Sequence, residues 1–427
     1  GGRLAGGGEG AGNQPSPSDY SDRVLRHARE RFGITVSGSL PIDFVHVHEA
    51  WDRLAPKGRV SMIAESAFTV RLAWEAFNKL TPDIYFDTTG AAFTFLVAKV
   101  LAGCKVGAYV HYPTISTDML QMVWERRPSY NHDPVVASNP LKTYVKMVYY
   151  IAFAIAYGFV GSVADLVMVN SSWTQNHIKY LWRLASWAGR IRIVYPPCDT
   201  QSLESLPLGD REKAVVSIGQ FRPEKDHSLQ VEAFARMLSE HPELAKSGGT
   251  GDDHGARLIL IGSCRGVDDE GRVAKLRDLA KQLGVQEQVE FILNQPYPIL
   301  KSWLGKASVG LHTMWNEHFG IGVVEMMAAG LITVAHDSGG PKSDIIVPFE
   351  EVEGGGTVRR RTGYLASTAE QFAEAMYKAL RGKGACNDKQ EGIMSMRKFG
   401  RKQAAKFSDE VFIDSFKGTI ISSGILR

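Results

Sequence analysis

The chain predicts an α/β fold of two Rossmann-like halves facing across a cleft, and two observations carry that reading. Short apolar runs alternate with helical stretches, the pattern of βαβ units on a parallel sheet. The alternation is broken once, from Tyr195-Pro196-Pro197-Cys198 to Gly209-Asp210, by prolines and small polar residues, and then begins again. A length of 427 residues suits two or three domains.

In the first series Asp43–His48 reads as a strand. Stronger ones follow at Ile84–Asp87, Val106–His111, Asp165–Asn170 and Ile191–Tyr195. Helices are expected between them, near 61–79, 92–101, 140–160 and 173–184. The second series has strands at Ala214–Gly219, Arg257–Gly262, Val289–Leu293, Ser308–Thr313 and Leu331–His336. From about Met394 the chain is polar and helical. The expected division is a disordered or incomplete segment over 1–42, a first Rossmann-like domain over 43–198, a linker over 199–212, a second such domain over 213–393 and a C-terminal helical segment over 394–427.

Composition excludes little. A formal charge of +3 argues neither for nor against nucleic acid and is only permissive for an anionic membrane surface. Cys104, Cys198, Cys264 and Cys386 have no CxxC spacing, so they read as reduced cytosolic thiols rather than a disulfide frame or zinc site. Gly1 to Asp19 is rich in Gly, Pro and Ser, which predicts disorder. Within it, Gly6-Gly7-Gly8-Glu9 reads as low complexity. Met147–Gly161 is apolar for fifteen residues, short of the about 20 that a spanning helix needs. It is expected to be buried or to lie at an interface, where its tyrosines and Lys142 and Lys146 would suit a headgroup boundary. Asn170-Ser171-Ser172 fits a glycosylation acceptor but ends an apolar strand, so it is expected to stay unmodified.

Two glutamates eight positions apart carry the chemistry. Ser308-Val309-Gly310-Leu311-His312 reads as a buried strand, and Gly320 to Gly330 as a helix that ends on a left-handed cap. Glu317 then lies on the loop at the strand's carboxyl end, and Glu325 inside the helix. Open α/β sheets bind ligands at that edge. The free N–H groups near Gly320 to Val323 suit a phosphate or diphosphate. In the same half, Gly219, Arg222 and Lys225 follow a strand as a compact basic hook, a planar fork plus a point charge for a leaving diphosphate.

The run Asn316-Glu317-His318-Phe319-Gly320, with seven residues between the two acids, resembles the retaining nucleotide-sugar glycosyltransferases of the GT-B fold, family 4. Val110-His111-Tyr112-Pro113-Thr114 through Asp118-Met119-Leu120, Ser217 to His227 and Ser338-Gly339-Gly340-Pro341-Lys342 look like its GDP-mannose-dependent α-1,2-mannosyltransferase branch, which extends dolichol-linked oligosaccharide. The likeness runs from about Asp43 to about Phe416. It implies GDP-mannose as donor, a dolichol-diphosphate-linked oligosaccharide as acceptor, and the cytosolic face of the endoplasmic reticulum membrane as location. Other mannosyltransferases of the pathway are implied as partners, and neither nucleic acid nor a metal cofactor is expected.

Residue roles follow from the same likeness. Glu317 lies beside the transferred sugar, and Glu325 takes the ribose hydroxyls. Gly219, Arg222 and Lys225 hold the diphosphate, with Phe319, Gly320 and Ile321 at the helix start. Gly339 and Gly340 bring backbone amides near the donor sugar. His111 contacts the sugar or the acceptor hydroxyl, and Thr114 and Asp118 are acceptor-side candidates. A double displacement of the glycosidase kind needs two carboxylates about 5 Å apart acting on one bond. Here the two acids have different partners, so front-face attack assisted by the leaving diphosphate is expected, with positioning and charge stabilisation as the main effects.

The likeness departs at the start of the chain. Family members begin with a hydrophobic anchor, a first strand and a glycine-rich loop, and nothing before Asp43 replaces that unit. A fragment that binds nucleotide sugar without turnover is therefore one alternative. A family 4 enzyme using another donor, such as a UDP-sugar, is the other.

Overall fold

Apolar runs of three to seven residues become the strands of two parallel sheets. The structure, a computed structural model, describes residues 17–32, 36, 42–47, 61–124, 140–245, 255–353, 355–381 and 387–427. The first sheet contains β1 (Ile84–Asp87), β2 (Lys105–Val110), β3 (Leu166–Val169) and β4 (Ile191–Ile193), paired in that order and all parallel. The second contains β5 (Glu212–Ile218), β6 (Arg257–Gly262), β7 (Val289–Leu293), β8 (Ala307–His312) and β9 (Ile332–His336). After β9 come a hairpin, β10 (Phe349–Glu353) and β11 (Gly356–Arg360), and then β12 (Gly363–Ala366), which joins the second sheet. Every residue of β8 is buried, as expected of a parallel strand covered on both faces.

The order β12-β9-β8-β5-β6-β7 decides where a ligand can bind. The chain runs outward from β5 through β6 to β7, then returns to β8 on the other side of β5. The connections above β5 and β8 thus diverge, which opens a crevice at the carboxyl ends of those two strands. On one face of the sheet, Phe234 and Met237 of the His227–Glu240 helix pack with Phe372 and Met376 of the Ala369–Leu380 helix. On the other, Val323 and Met327 of the Ile321–Ala328 helix pack with Ile259 and Ala335. That helix comes close to β8 because Gly310 has no side chain. A Cβ there would lie 2.5 Å from the Met326 sulfur.

The helix Asn387–Ala404 lies across the boundary expected at 394 and belongs with the second sheet. Its Arg401 donates to the Ala328 carbonyl, and its Phe399 ring packs on Phe349. Only the later part of the tail reaches the first sheet. Phe412 and Phe416, on the Asp409–Ser423 helix, and Ile425 pack with Tyr109, Met168 and Val194. The crossing is marked by a bridge between Cys198 and Ser408.

The chain divides into two compact units, one of residues 1–83 and 96–104, the other of 84–95 and 105–427. Within the first, Met62–Lys79 is a helix capped by the Ser61 hydroxyl, and the Lys79 ammonium donates to the His46 carbonyl. Two expectations fail here. The segment 1–42 contains a helix, Pro17–Phe32, started by a proline at its first position and rich in good helix formers beyond Arg23. Its leading glycines obscured that in the sequence. Asp43–Val47 is not a strand. Val45 is 39% exposed and the segment forms no ladder among the described residues, and a strand exists only where a neighbour pairs with it. The remainder of that segment, His48, the glycines near Gly6 and Cys386 lie outside the described residues.

Smaller departures have local causes. The stretch near 92–101 begins as Thr94–Leu96 and continues as a π-helical turn, Val97–Leu101. The helix expected over 173–184 breaks at Trp182, between Ser172–Leu181 and Arg183–Trp187. Trp182 is fully buried against Phe95 and Tyr157, and its indole fills the space where a Cβ on Gly161 would stand.

The Pro140–Gly161 helix is apolar on both sides. Tyr150, Phe153, Tyr157 and Val160 face the core, while Val148, Ile151, Ile155 and Phe159 are exposed. Its Thr143–Gly161 portion is long and apolar enough to cross a membrane, yet only 28% of that window is buried, so it is not a plain core helix.

Candidate active site at the carboxyl ends of β5 and β8

Glu317 is the centre of the site. The loop that carries it leaves β8 and turns through Asn316, at φ 51°, and Gly320, at φ 112°, before the Ile321–Ala328 helix begins. Both positions need left-handed backbone, which glycine adopts without strain and asparagine tolerates. The loop rests on Gly339 and Gly340. A Cβ on Gly339 would lie 2.2 Å from the Glu317 carbonyl oxygen, and one on Gly340 would lie 2.3 Å from that of Phe319. The Gly340 N–H donates to the Glu317 carbonyl at 2.8 Å. That amide therefore holds the loop and is not directed at a ligand, which corrects its expected role. The Asn316 N–H donates to the Ser338 hydroxyl at 2.8 Å, fixing the same turn.

A lysine and a histidine converge on the Glu317 carboxylate. Lys225 Nζ donates to Oε2 at 2.7 Å, and His312 Nε2 lies 3.0 Å from the same oxygen. Burial alone would raise this carboxyl. The hydrogen bond and charge of His312, with those of Lys225, hold it well below the usual carboxylate range instead. Lys225 is itself aimed from below. The Thr313 hydroxyl, at the end of β8, donates to the carbonyls of Lys225 and Asp226, while the buried Gln230 donates to that hydroxyl at 2.9 Å. Asp226, at φ 46°, then caps the His227–Glu240 helix. Beside the pair, burial first and Lys225 second push His227 down to about 4, so it stays neutral.

Glu325 has the opposite environment. It lies on the Ile321–Ala328 helix with no cation beside it among the described residues, and burial, reinforced by Asp199, pushes it up to about 7. Two acids eight residues apart are thus set to different protonation states, an arrangement typical of sites that divide roles between carboxyls. The helix start lies over the end of β5, since a Cβ on Gly322 would be 4.0 Å from the Ile218 carbonyl. Gly219 follows Ile218, so the amides near Gly320 and Ile321 and the Lys225 ammonium border one crevice.

The first sheet contributes the facing wall. Asp118 accepts from the Asn316 side chain and lies 3.5 Å from His177 Nε2. Tyr112 stacks on His318, with ring centres 4.8 Å apart, and Trp173 packs against the same imidazole. Asp344 accepts from the Ser172 amide at 3.0 Å, from the Ser172 hydroxyl, and from Tyr195 at 2.8 Å. The Ser171 hydroxyl donates to the His318 carbonyl. Asn170 and Ser171 are buried, which leaves the acceptor sequence inaccessible to glycosylation in the folded chain.

The expected site residues therefore do not all meet. Lys225, Glu317, Gly320, Gly339 and Gly340 are brought together around one loop, with Asp118 bonded to it through Asn316. His111 follows β2, its ring 5.0 Å from Tyr109, and its neighbour Tyr112 stacks on His318 of the loop. Burial lowers its proton affinity. Thr114 is held by Gly90 and Tyr157, away from that loop's polar contacts. The Arg222 side chain is 52% exposed, with Glu224 3.9 Å away. Phe319 needs correction: its ring is 2% exposed and packed between Tyr195 and Phe407, so any ligand contact there is through its main chain.

Sequence reasoning missed His312, Thr313, Gln230, Asp199 and Asp344. Only His312 had a visible signal, a titratable residue closing a buried strand five positions before Glu317. Among the described residues no group of His, Cys, Asp or Glu could hold a metal ion.

Known proteins share this architecture and sequence. Solved structures with the same fold include α,α-trehalose 6-phosphate synthase from Burkholderia multivorans, at a TM-score of 0.60 and 12% identity over 86% of this chain and 78% of that one. Anabaena HepE, solved with UDP, gives 0.54 and 16% over 82% of each chain. Two parallel sheets with the site at the switch point of the second define a GT-B glycosyltransferase. The family model "ALG11 mannosyltransferase N-terminus" matches residues 16–182, and "Glycosyl transferases group 1" matches 199–396. GDP-Man:Man(3)GlcNAc(2)-PP-Dol α-1,2-mannosyltransferases from Mus musculus and Homo sapiens are each 44% identical to this chain, covering 92% and 93% of it and 76% and 77% of their own lengths. The one from Caenorhabditis elegans is 37% identical over 92% of this chain and 79% of its own length. The chain belongs to this family of α-1,2-mannosyltransferases.

Proposed function

We propose that the chain transfers mannose from GDP-mannose, with retention, to a dolichol-diphosphate-linked Man3GlcNAc2 acceptor, extending it in α-1,2 linkage. The observation that carries the chemistry is the contrast between Glu317, held ionised by Lys225 and His312, and Glu325, whose carboxyl is pushed up to about 7. In this reading Lys225 turns from Glu317 toward the donor's diphosphate when the donor binds. The bond from the anomeric carbon to the diphosphate oxygen breaks, and the charge left on that oxygen is compensated by Lys225, Arg222 and the amides at the start of the Ile321–Ala328 helix. Positive charge develops at the anomeric carbon, where the Glu317 carboxylate is the stabilising group. The acceptor hydroxyl attacks from the face the diphosphate leaves, and its proton goes to the departing diphosphate. Glu325 accepts hydrogen bonds from the ribose hydroxyls. On the side of the first sheet, His111 and Asp118 orient the acceptor.

The exposed apolar side of the Pro140–Gly161 helix fits a protein that works against a lipid surface, here the cytosolic face of the endoplasmic reticulum, alongside other mannosyltransferases of the pathway. A transfer screen with GDP- and UDP-sugars and a short lipid-linked acceptor tests the reading. Transfer confined to GDP-mannose supports it, and transfer from a UDP-sugar alone sinks the donor assignment.

A further inference from the structure

We propose that the apolar groove between the Pro140–Gly161 helix and the Ser172–Leu181 and Arg183–Trp187 helices receives the polyisoprenoid tail of the lipid acceptor. The inference rests on the proposed lipid-diphosphate acceptor. The groove has a volume of about 480 Å3, within the ~300–1,000 Å3 of small-molecule sites. Ile151, Ile155, Phe159, Tyr180 and Leu184 line it from its two walls, and Leu120 contributes to the lining. These are not chance exposures. Ile155 is 69% exposed, Phe159 61% and Leu184 54%, side by side on one surface. A contiguous apolar surface of that kind marks a lipid or partner site.

Charge and continuity select the occupant. Arg183 lies at the groove's rim, its guanidinium 5.1 Å from the Tyr180 ring, and has no carboxylate partner among the described residues. An apolar trough with one uncompensated guanidinium at its edge matches a long hydrocarbon that carries a diphosphate at one end. One short helix borders both the groove and the active site. Leu120 belongs to the Thr117–Trp124 helix, whose Asp118 accepts from Asn316, next to Glu317. Residues two apart on a helix face different ways. Asp118 can thus serve the sugar side while Leu120 serves the lipid side of the same short helix. An acceptor whose reacting sugar is separated from its diphosphate by further sugars needs this separation between tail site and Glu317.

The test uses the full chain and a polyprenyl diphosphate with a photoreactive diazirine on its tail. Labelling is expected within 151–159 and 180–184. Ile155→Glu with Leu184→Glu should lower it at least tenfold and leave GDP-mannose affinity unchanged. Arg183→Ala should weaken capture of the diphosphate probe at least fivefold and leave that of the matching polyprenol unchanged. Labelling elsewhere overturns the proposal. So does a double variant that labels normally but floats tenfold less on phosphatidylcholine vesicles free of polyprenyl lipid, because the face would then be a bilayer contact. Labelling in the groove of a chain that transfers no mannose to separately supplied lipid-linked Man3GlcNAc2 would leave the tail site standing and sink the proposed reaction. Transfer with labelling elsewhere would do the reverse.

Discussion

Donor binding should release a proton, and Glu325 should be its source. Burial and the nearby Asp199 push this carboxyl up to about 7. The ribose hydroxyls are donors, so they bind its ionised form best. Below pH 7 the free protein holds the proton and must give it up on binding. At pH 6 about nine-tenths of the carboxyls are protonated and at pH 8 about one-tenth. Affinity for GDP-mannose should therefore weaken about tenfold from pH 8 to pH 6, or about 1.4 kcal/mol. A nucleotide diphosphate sugar is a diester and has no proton to titrate in this range. Calorimetry at pH 6 in buffers of different ionisation enthalpy should report close to one proton released. Glu325→Gln should flatten both the pH profile and the buffer dependence. The same shift has a sign for stability. A carboxyl raised from 4.5 to about 7 holds its proton more tightly folded than unfolded, so stability falls as pH rises between those values, by about 3 kcal/mol in all. Glu325→Gln should therefore be more stable than the parent at pH 8. A wild-type affinity that is flat from pH 6 to pH 8, with no buffer dependence, would refute the reasoning.

Glu317→Gln keeps shape and removes charge, so turnover should fall at least about 10²-fold while GDP-mannose affinity changes less than about tenfold; equal losses of affinity with unchanged turnover at saturation would assign both acids to binding. Lys225→Ala should weaken GDP-mannose binding by roughly 1.5–3 kcal/mol, measured by calorimetry, and an unchanged affinity would remove Lys225 from the diphosphate site. Arg211 is 3% exposed and donates to the carbonyls of Pro207, Leu304, Ala307 and Ala329. Arg211→Met leaves those carbonyls unpaired and should cost about 3 kcal/mol in urea unfolding, whereas a loss below about 1 kcal/mol would mean water replaces the guanidinium.

What the sequence made legible was whatever depends on local pattern. The strands at Ile84–Asp87, Arg257–Gly262 and Val289–Leu293 lie where apolar runs of the right length stand between turn residues. The loop and helix around Glu317 and Glu325 follow from a buried strand, Gly320 and Gly330, which takes φ 86°. Two short structures had no such pattern. The β10–β11 hairpin is half Glu and Arg, held by pairs such as Arg359–Glu350 at 3.0 Å across the ladder, and carries no apolar alternation. β12 is four residues beginning at Gly363.

The polar links of the site were hidden for a different reason. Asp344 meets Ser172 across 172 positions of chain and Tyr195 across 149, and Gln230 meets Thr313 across 83. Neither pairing has a local signature, because hydroxyls, amides and carboxylates recur along any surface. The pairing of Lys225 with Glu317 is legible only once β5 and β8 are known to be neighbours. The switch point that brings them together is a property of strand order, which periodicity does not encode.

The central claim is retaining transfer of mannose from GDP-mannose at the crevice between β5 and β8. The most direct measurement incubates the chain with GDP-mannose and lipid-linked Man3GlcNAc2, then determines the anomeric configuration and linkage of the added sugar by NMR. The account predicts α-1,2-linked mannose, with the donor's α configuration kept, and loss of product in Glu317→Gln. A β-linked product, or a Glu317→Gln variant as active as the parent, would contradict it.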